Sequence, residues 1–318
     1  MPISVLLTES YHPTLLESLR QWTDISFIHL PHPTLEELQA HLRHTTAWIL
    51  RGQFPVTPSL LEYAPHLQVI IRAGSGTEHI DKEALAQRKI TLLSTPHANA
   101  ASVAEYVVGA LLALAHRMLP AHHFLREQDA WLRKEHIGRE IASLTIGLIG
   151  FGHTGSRTAF LLKQLGAEVL VYDKYKSGFG GQGIVEVPLE TLWERVDVLS
   201  LHIPLTQETQ KWIDQTFLSR FRRRIALINT SRGGIISLPA LASALQEGTI
   251  WGAALDTFPV EPPYTLSAAE REAWTYLRNH PAVLLTPHIA GLTEESELRL
   301  AQSVLGALHS FLHRYPHP

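Results

Sequence analysis

Short runs of branched apolar residues alternate along this chain with segments whose apolar positions recur every three or four residues. In the first hundred residues the runs 3–7, 25–30, 47–50, 69–72 and 90–93 predict strands, and 13–21, 35–44, 58–63 and 82–88 predict helices between them. A second series begins at Leu144. Its predicted strands are 145–149, 168–172, 198–202, 225–229, 252–256 and 283–286, and a last helix covers about 294–314. Strands that alternate with helices pair in parallel, so the expected class is α/β with two doubly wound parallel-sheet domains. Between the series, 102–119 predicts one helix covered nearly all round by Ala, Leu and Val. Such a helix is expected to be buried on most sides, between domains or in a subunit interface.

Composition removes several classes. The chain has 318 residues, 45% hydrophobic and 18% charged, with a net charge of -3, and so small a net charge supplies no field to attract nucleic acid or an anionic membrane. The single basic cluster, Arg220, Arg222, Arg223 and Arg224, reads as a solvated helix end before a strand. There is no cysteine, which excludes disulfides, thiolate nucleophiles and cysteine-based metal sites, and a reducing cytoplasm is the expected location. The apolar stretch 103–115 contains Glu105 and falls short of the roughly 20 residues a membrane span needs. The N-terminal run 1–7 is short and lacks the basic flank of a signal peptide. His122-His123 and the group His29, His32, His41 and His44 have no convergent carboxylates in the sequence, so no metal site is expected.

Candidate chemistry begins where the strand 145–149 runs into Gly150-Phe-Gly152-His153-Thr154-Gly155, followed by a helical pattern at 156–165. The glycines have separate tasks: Gly150 permits a tight turn, Gly152 lets the backbone approach a pyrophosphate, and Gly155 lets helix and strand pack closely. The amides of His153 and Thr154, at the helix N-terminus, would face the phosphate charge. Asp173 lies 18 residues beyond Gly155 at the end of the next predicted strand. A carboxylate there hydrogen-bonds an adenosine ribose and repels an added 2′-phosphate, so NAD is the expected cofactor. A methyltransferase shares a glycine turn and an acidic strand end, and stays open on this evidence alone.

Three motifs follow predicted strands, at the edge where an open α/β sheet binds ligands. They are Asn229-Thr230-Ser231-Arg232-Gly-Gly, Asp256-Thr-Phe-Pro-Val-Glu261-Pro-Pro and Thr286-Pro-His288-Ile-Ala-Gly291. Arg232 can grip a planar carboxylate with two bonds and polarise the neighbouring oxygen. His288 can take a hydroxyl proton as hydride leaves and return it in the reverse direction. Glu261, bonded to the other ring nitrogen, would fix the tautomer and favour the protonated form. Together they form a set for oxidising a 2-hydroxy acid.

In this order, and with the loop Arg72-Ala-Gly74-Ser75-Gly76-Thr-Glu78-His79-Ile-Asp81, these motifs resemble the D-isomer-specific 2-hydroxyacid dehydrogenase family over nearly the whole chain. The resemblance implies that Arg232, Glu261 and His288 are catalytic, and that Gly74, Ser75 and Gly76 offer amides to the substrate carboxylate, with Ser75 near the nicotinamide. It also implies that His202, Ile203 and Pro204 line the cofactor, that Thr230 lies within a cofactor-binding motif, and that Asp256 meets the nicotinamide amide. Arg51 is a candidate for an anionic substrate tail, as in phosphoglycerate enzymes. By the same likeness a Rossmann NAD-binding domain, 99–288, is inserted in a flavodoxin-like substrate domain, 1–98 plus 289–318. The expected partners are a small 2-hydroxy or 2-oxo acid and a second copy of the chain, joined through the 102–119 helix region. The chain departs from the family at His153-Thr154, where Arg-Ile is common, and at Glu78-His79, where Asp-Asn is usual. A same-fold NAD(H)-sensing regulator would keep the same residues and stands as the alternative; a Rossmann-fold transferase leaves Arg232, Glu261 and His288 without a task.

Overall fold

The computed structural model describes residues 3–128 and 131–314, and the chain divides into two units: Met1–Asn99 with Leu292–Pro318, and Ala100–Gly291. The ends of the expected substrate domain, 1–2 and 315–318, and the first two residues of the N-terminal apolar run lie outside the described residues.

In the first unit β1 (Ile3–Thr8), α1 (Pro13–Arg20), β2 (Ile25–Leu30), α2 (Leu35–Leu42), β3 (Ala47–Leu50), α3 (Pro58–Leu61), β4 (Val69–Arg72), α4 (Lys82–Gln87) and β5 (Thr91–Ser94) alternate as expected. The sheet is wholly parallel in the order β2-β1-β3-β4-β5, the flavodoxin-like arrangement. Successive side chains of a strand point to opposite faces. Val5, Leu7, Ile49, Val69 and Ile71 therefore enter one core, with α1 and the closing helix of the chain, while Leu6, Trp48, Leu50 and Ile70 enter the other, with α2, α3 and α4. Burial on both faces is why the strands read as unbroken apolar runs. The helices start at side-chain caps: Thr34 with Glu37 form a capping box on α2, and Thr57 and Asp81 cap α3 and α4.

The second unit begins with α5 (Ala100–Ala115) and α6 (Met118–Gln128). It continues through β6 (Thr145–Ile149), α7 (His153–Gln164), β7 (Glu168–Tyr172), β8 (Ile184–Glu186), α8 (Leu189–Arg195) and β9 (Val198–Leu201). It closes with α9 (Gln215–Leu218), β10 (Ile225–Asn229), α10 (Leu238–Gln246), β11 (Ile250–Leu255), α11 (Ala268–Asn279) and β12 (Val283–Leu285); α12 (Glu294–Arg314) then returns to the first unit. The seven parallel strands run β12-β11-β10-β9-β6-β7-β8. The order reverses between β6 and β9, the crevice where such sheets bind nucleotides.

The structure corrects the single helix expected over 102–119. The segment is two helices, α5 and α6, bent by 62° at a break after Ala115. Arg117 takes a left-handed φ of 54°, and Pro120 in the first turn of α6 has no amide to continue the α5 ladder. The apolar surface of α5 is also consumed within its own unit: Val103, Val107, Leu111 and Leu114 pack with α7 residues Ala159 and Leu162 and with Ile146, Ile228 and Ala254 of the sheet. The four arginines of the run are exposed, and each also has a partner. Arg223 pairs with buried Asp197 (3.5 Å), Arg222 with Glu194 (3.5 Å), Arg224 Nε donates to Gly248 O, and Arg220 lies over the Trp193 ring.

Candidate active site

The glycine turn is built by contact. Gly150 has a φ of +99°, and a Cβ there would fall 2.3 Å from the His202 carbonyl oxygen; a Cβ on Gly155 would fall 2.1 Å from the Gly150 carbonyl oxygen. Neither position admits another residue. At Gly152, the N-cap of α7, nothing lies within 4 Å of the Cβ position and no side chain caps the helix. An open, uncapped helix N-terminus beside a tight turn fits a pyrophosphate, whose charge the helix dipole and amides favour.

Asp173 directly follows β7 and braces that turn. Its Oδ2 accepts the Phe151 amide (2.7 Å) and its Oδ1 the amides of Tyr175 (2.9 Å) and Lys176 (3.0 Å), while Lys176 Nζ donates to Phe151 O (2.9 Å). A carboxylate has about four lone-pair sites, so capacity remains for a ribose hydroxyl. Thr230 follows β10, and among the described residues its buried hydroxyl has no hydrogen-bond partner. That is a further feature that fits a bound dinucleotide.

His202 enters the site through its backbone. Its ring is buried between Ser200 Oγ (Nε2, 3.0 Å) and Thr154 Oγ1 (Nδ1, 3.2 Å), and burial lowers its pKa to about 3. The ring is thus neutral and ties the end of β9 to the first turn of α7. Next to it the Ile203 amide donates to Ser231 Oγ (3.2 Å), which donates to Leu201 O (2.7 Å); Pro204 is exposed, and its carbonyl accepts the Thr209 hydroxyl (2.8 Å). Exposed His153 and half-buried Thr154 occupy the first turn of α7.

The three catalytic candidates leave adjacent parallel strands, β10, β11 and β12. Their loops are locked together. A Cβ on Gly233 would fall 1.9 Å from the Phe258 carbonyl carbon, so the Arg232 loop packs backbone to backbone on the Glu261 loop. Arg232 Nη1 donates to Ser231 O (2.7 Å), and Asn229 holds the Arg232 carbonyl (3.0 Å). His288 Nδ1 and Glu261 Oε2 are 2.7 Å apart, and Glu261 Oε1 accepts the Phe258 amide (2.9 Å). Burial pushes the Glu261 carboxyl up, but the bonds from His288 and Phe258 and the charges of His288 and Arg232 outweigh it and hold it below the ordinary carboxylate value. The His288 side chain keeps 47% of its surface exposed, so its ring edge meets solvent while Nδ1 is engaged.

Asp256 is fully buried. Its Oδ1 accepts the Thr286 hydroxyl (2.6 Å) and the Ile289 amide (2.8 Å), and its Oδ2 accepts the Ala290 amide (2.8 Å), so the carboxylate is turned into the His288 loop. Two residues of this network had no role assigned from the sequence, Thr286 and Tyr106; the signal for Tyr106 was a phenol hydroxyl in a helix whose other bulky side chains are mostly aliphatic. Among the described residues no group of three His, Asp or Glu side chains converges as a metal site.

Arg51, Gly74, Ser75 and Gly76 belong to the first unit. Gly74 has a φ of +131°, and its amide donates to Thr95 Oγ1 (2.8 Å); Ser75 is exposed at the loop tip and Gly76 is buried. His79 lays its ring against Gly52, 3.3 Å from the Cβ position. The Arg51 guanidinium binds both Glu297 oxygens, at 2.8 and 2.6 Å.

Strand order, glycine turn and strand-end acid define a dinucleotide-binding Rossmann domain. Residues 108–290 match the family model described as D-isomer specific 2-hydroxyacid dehydrogenase, NAD binding domain. The chain is 33% identical over 269 residues to a hydroxypyruvate reductase of Thermotoga maritima, covering 85% of each protein. It is 30% identical over 302 residues to the human D-3-phosphoglycerate dehydrogenase, covering 94% of this chain and 55% of that one; the chain thus spans about half the length of the first curated relatives it matches. The structure of D-lactate dehydrogenase from Aquifex aeolicus, complexed with NAD and lactic acid, superposes with a TM-score of 0.87 at 28% identity, covering 97% of this chain and 95% of that one. The chain belongs to the D-isomer specific 2-hydroxyacid dehydrogenase family, and its cofactor is NAD.

Proposed function

We propose that this chain is an NAD-dependent oxidoreductase that interconverts a small D-2-hydroxy acid and its 2-oxo acid. The observation that carries the reading is the 2.7 Å His288–Glu261 pair on the strand edge that also bears Arg232 and the glycine turn. The amides of His153 and Thr154, Asp173 and the Thr230 hydroxyl would hold NAD, which would supply the hydride acceptor, and NADH the donor. With Nδ1 donating to the Glu261 carboxylate, His288 Nε2 is the nitrogen left for proton transfer. In oxidation Nε2 takes the C2 hydroxyl proton; in reduction it returns one proton to the carbonyl oxygen. Glu261, ionised over the whole neutral range, balances the imidazolium that forms. Arg232 holds the carboxylate and orients the adjacent carbon.

Arg51, the residue expected to meet an anionic tail, bears on the substrate class. Its charge is already balanced by Glu297, so an anionic tail would have to displace a bidentate carboxylate. This favours glyoxylate, hydroxypyruvate or pyruvate over a phosphorylated acid, and the Thermotoga maritima relative is a hydroxypyruvate reductase. A homodimer joins the reading on different ground from before: α5 is spent inside its unit, whereas Met118 and Leu125 on α6, and Trp131 and Ile137 beyond it, are exposed. Sedimentation that shows a monomer at micromolar concentration would remove the dimer.

One assay tests the activity. NADH consumption is followed with glyoxylate, hydroxypyruvate, pyruvate and phosphohydroxypyruvate, with NADPH in parallel and Arg232→Ala as control. Turnover of an unphosphorylated acid, preference for NADH, and loss of activity in the variant are expected. No turnover with any acid, or a wild-type rate in Arg232→Ala, overturns the reading; equal use of NADPH removes the role given to Asp173.

A further inference from the structure

His288 sits in an uncommon backbone conformation, with φ at +58°. For a residue with a Cβ this region costs on the order of 1 kcal/mol, so the surroundings must hold the turn. They do so through Asp256. The His288 amide donates to the Asp256 carbonyl (2.8 Å), and the next two amides, Ile289 and Ala290, donate to the two Asp256 carboxylate oxygens. Asp256 is itself aimed by Thr286, whose Oγ1 lies 2.6 Å from Oδ1.

The direction of each bond is fixed by its atoms. A carboxylate only accepts, so the single Thr286 hydroxyl proton points at Asp256. Thr286 Oγ1 must then accept at its other contact, and the donor there is the Tyr106 hydroxyl of α5. Burial, foremost, with the Asp256 charge, raises the Tyr106 pKa despite the Thr286 bond, so the phenol keeps its proton. Bonds that run in one direction through a low-dielectric interior polarise one another. All members lie in the second unit.

We propose that Tyr106 is a positioning residue for the proposed catalytic histidine: through Thr286 and Asp256 it aims the His288 turn at Glu261. The rest of α5 reads as a core helix, and its one phenol would pack equally well as Phe. A hydroxyl is needed only if its bond matters. The proposal rests on His288 being the acid–base group, so the test includes a measurement that does not depend on turnover.

Tyr106→Phe, Thr286→Val and Thr286→Ser are compared with wild type. With glyoxylate and NADH, kcat is expected to fall about tenfold in Thr286→Val and severalfold in Tyr106→Phe, with KM for both substrates nearly unchanged, because a misaimed group costs rate rather than binding. Thr286→Ser, which keeps the hydroxyl, restores the wild-type rate. In cofactor-free protein, imidazole NMR follows the His288 Nδ1–H resonance, identified by its loss in His288→Asn. The resonance is expected to broaden or vanish in Thr286→Val and Tyr106→Phe and to persist in Thr286→Ser. Unchanged kcat with an unchanged resonance overturns the relay, as does a rise in KM alone. Should wild type turn over no acid, the dehydrogenase reading fails while the NMR comparison still decides the relay. Should Thr286→Val fail to fold, Tyr106→Phe against Thr286→Ser decides it.

Discussion

Two histidines stand at the same edge of the same sheet and have been given opposite surroundings. His202, after β9, is buried between two hydroxyls, with no carboxylate among its ring partners and a pKa lowered to about 3. His288, after β12, is half-exposed, set in a left-handed turn, and bonded to a carboxylate held below its ordinary pKa. One ring is locked neutral and serves as a strut under the glycine turn. The other meets solvent with a carboxylate bonded at Nδ1. Residue type and position on the fold are shared, so the difference in role comes from desolvation and from the partner at Nδ1.

The largest effect should come from treating the two rings alike. His288→Ala is expected to lower kcat by about 10³-fold, the scale of a lost general acid–base group. His202→Asn should cost stability and NADH affinity much more than kcat. Equal kcat losses would break the contrast. Next, Glu261→Gln gives His288 an uncharged neighbour like those of His202, and kcat should fall by about 10²-fold, the lower end of the acid–base range. A Glu261→Gln enzyme with the wild-type rate would show that the carboxylate is not what separates the two histidines.

Acid should read the strut directly. Unfolded, His202 titrates at its ordinary 6.5; folded, at about 3. Between those values the unfolded chain holds the extra proton, so stability rises with pH across that window and is lost as pH falls below 6.5, at about 1.4 kcal/mol per pH unit from this group. Above 6.5 the group contributes no slope. Urea midpoints between pH 7 and 5 should therefore fall less steeply in His202→Gln than in wild type. The Glu261 shift acts in the same sense over a lower window: its contribution is present above the ordinary carboxylate value and is lost as pH falls through its lower folded value. Burial lowers His280 as well, so the difference between His202→Gln and wild type, rather than the wild-type slope itself, isolates His202.

How much of this was legible follows from burial. Strands buried on both faces, such as Val5–Leu7 and Ile70 with its neighbours, stand out as apolar runs. The glycine turn and the His288–Glu261 contact were legible because a backbone-to-backbone approach and an imidazole–carboxylate bond admit few residue types. β8 was not: it is an edge strand, Ile184–Glu186, with Val185 and Glu186 exposed. α11 was missed although its capping box, Ser267 with Glu270, is written in the sequence. The break between α5 and α6 falls where the apolar run ends, at His116-Arg117 with Pro120 beyond; the sequence carries that signal, but apolar spacing alone does not register it. The partner of Arg51 was illegible for another reason: Glu297 lies far along the chain on α12, and only the fold brings the two together.

The smallest effect isolates one bond of the strut. The Thr154 hydroxyl is the partner of His202 Nδ1. Thr154→Val keeps the volume and removes that partner, leaving a ring nitrogen buried without its bond, at a cost of about 1–3 kcal/mol. Thr154→Ser keeps the bond and should stay near wild type in the urea midpoint. The backbone of Thr154 belongs to the first turn of α7 beside Gly152, so loosening the side chain should also weaken NADH binding severalfold, measured by fluorescence, with kcat retained. If Thr154→Val instead matched wild type in both midpoint and NADH affinity, the ring would be held by packing alone. His202 would then be a core residue that happens to be a histidine, and its contrast with His288 would reduce to burial without any part for hydrogen bonding.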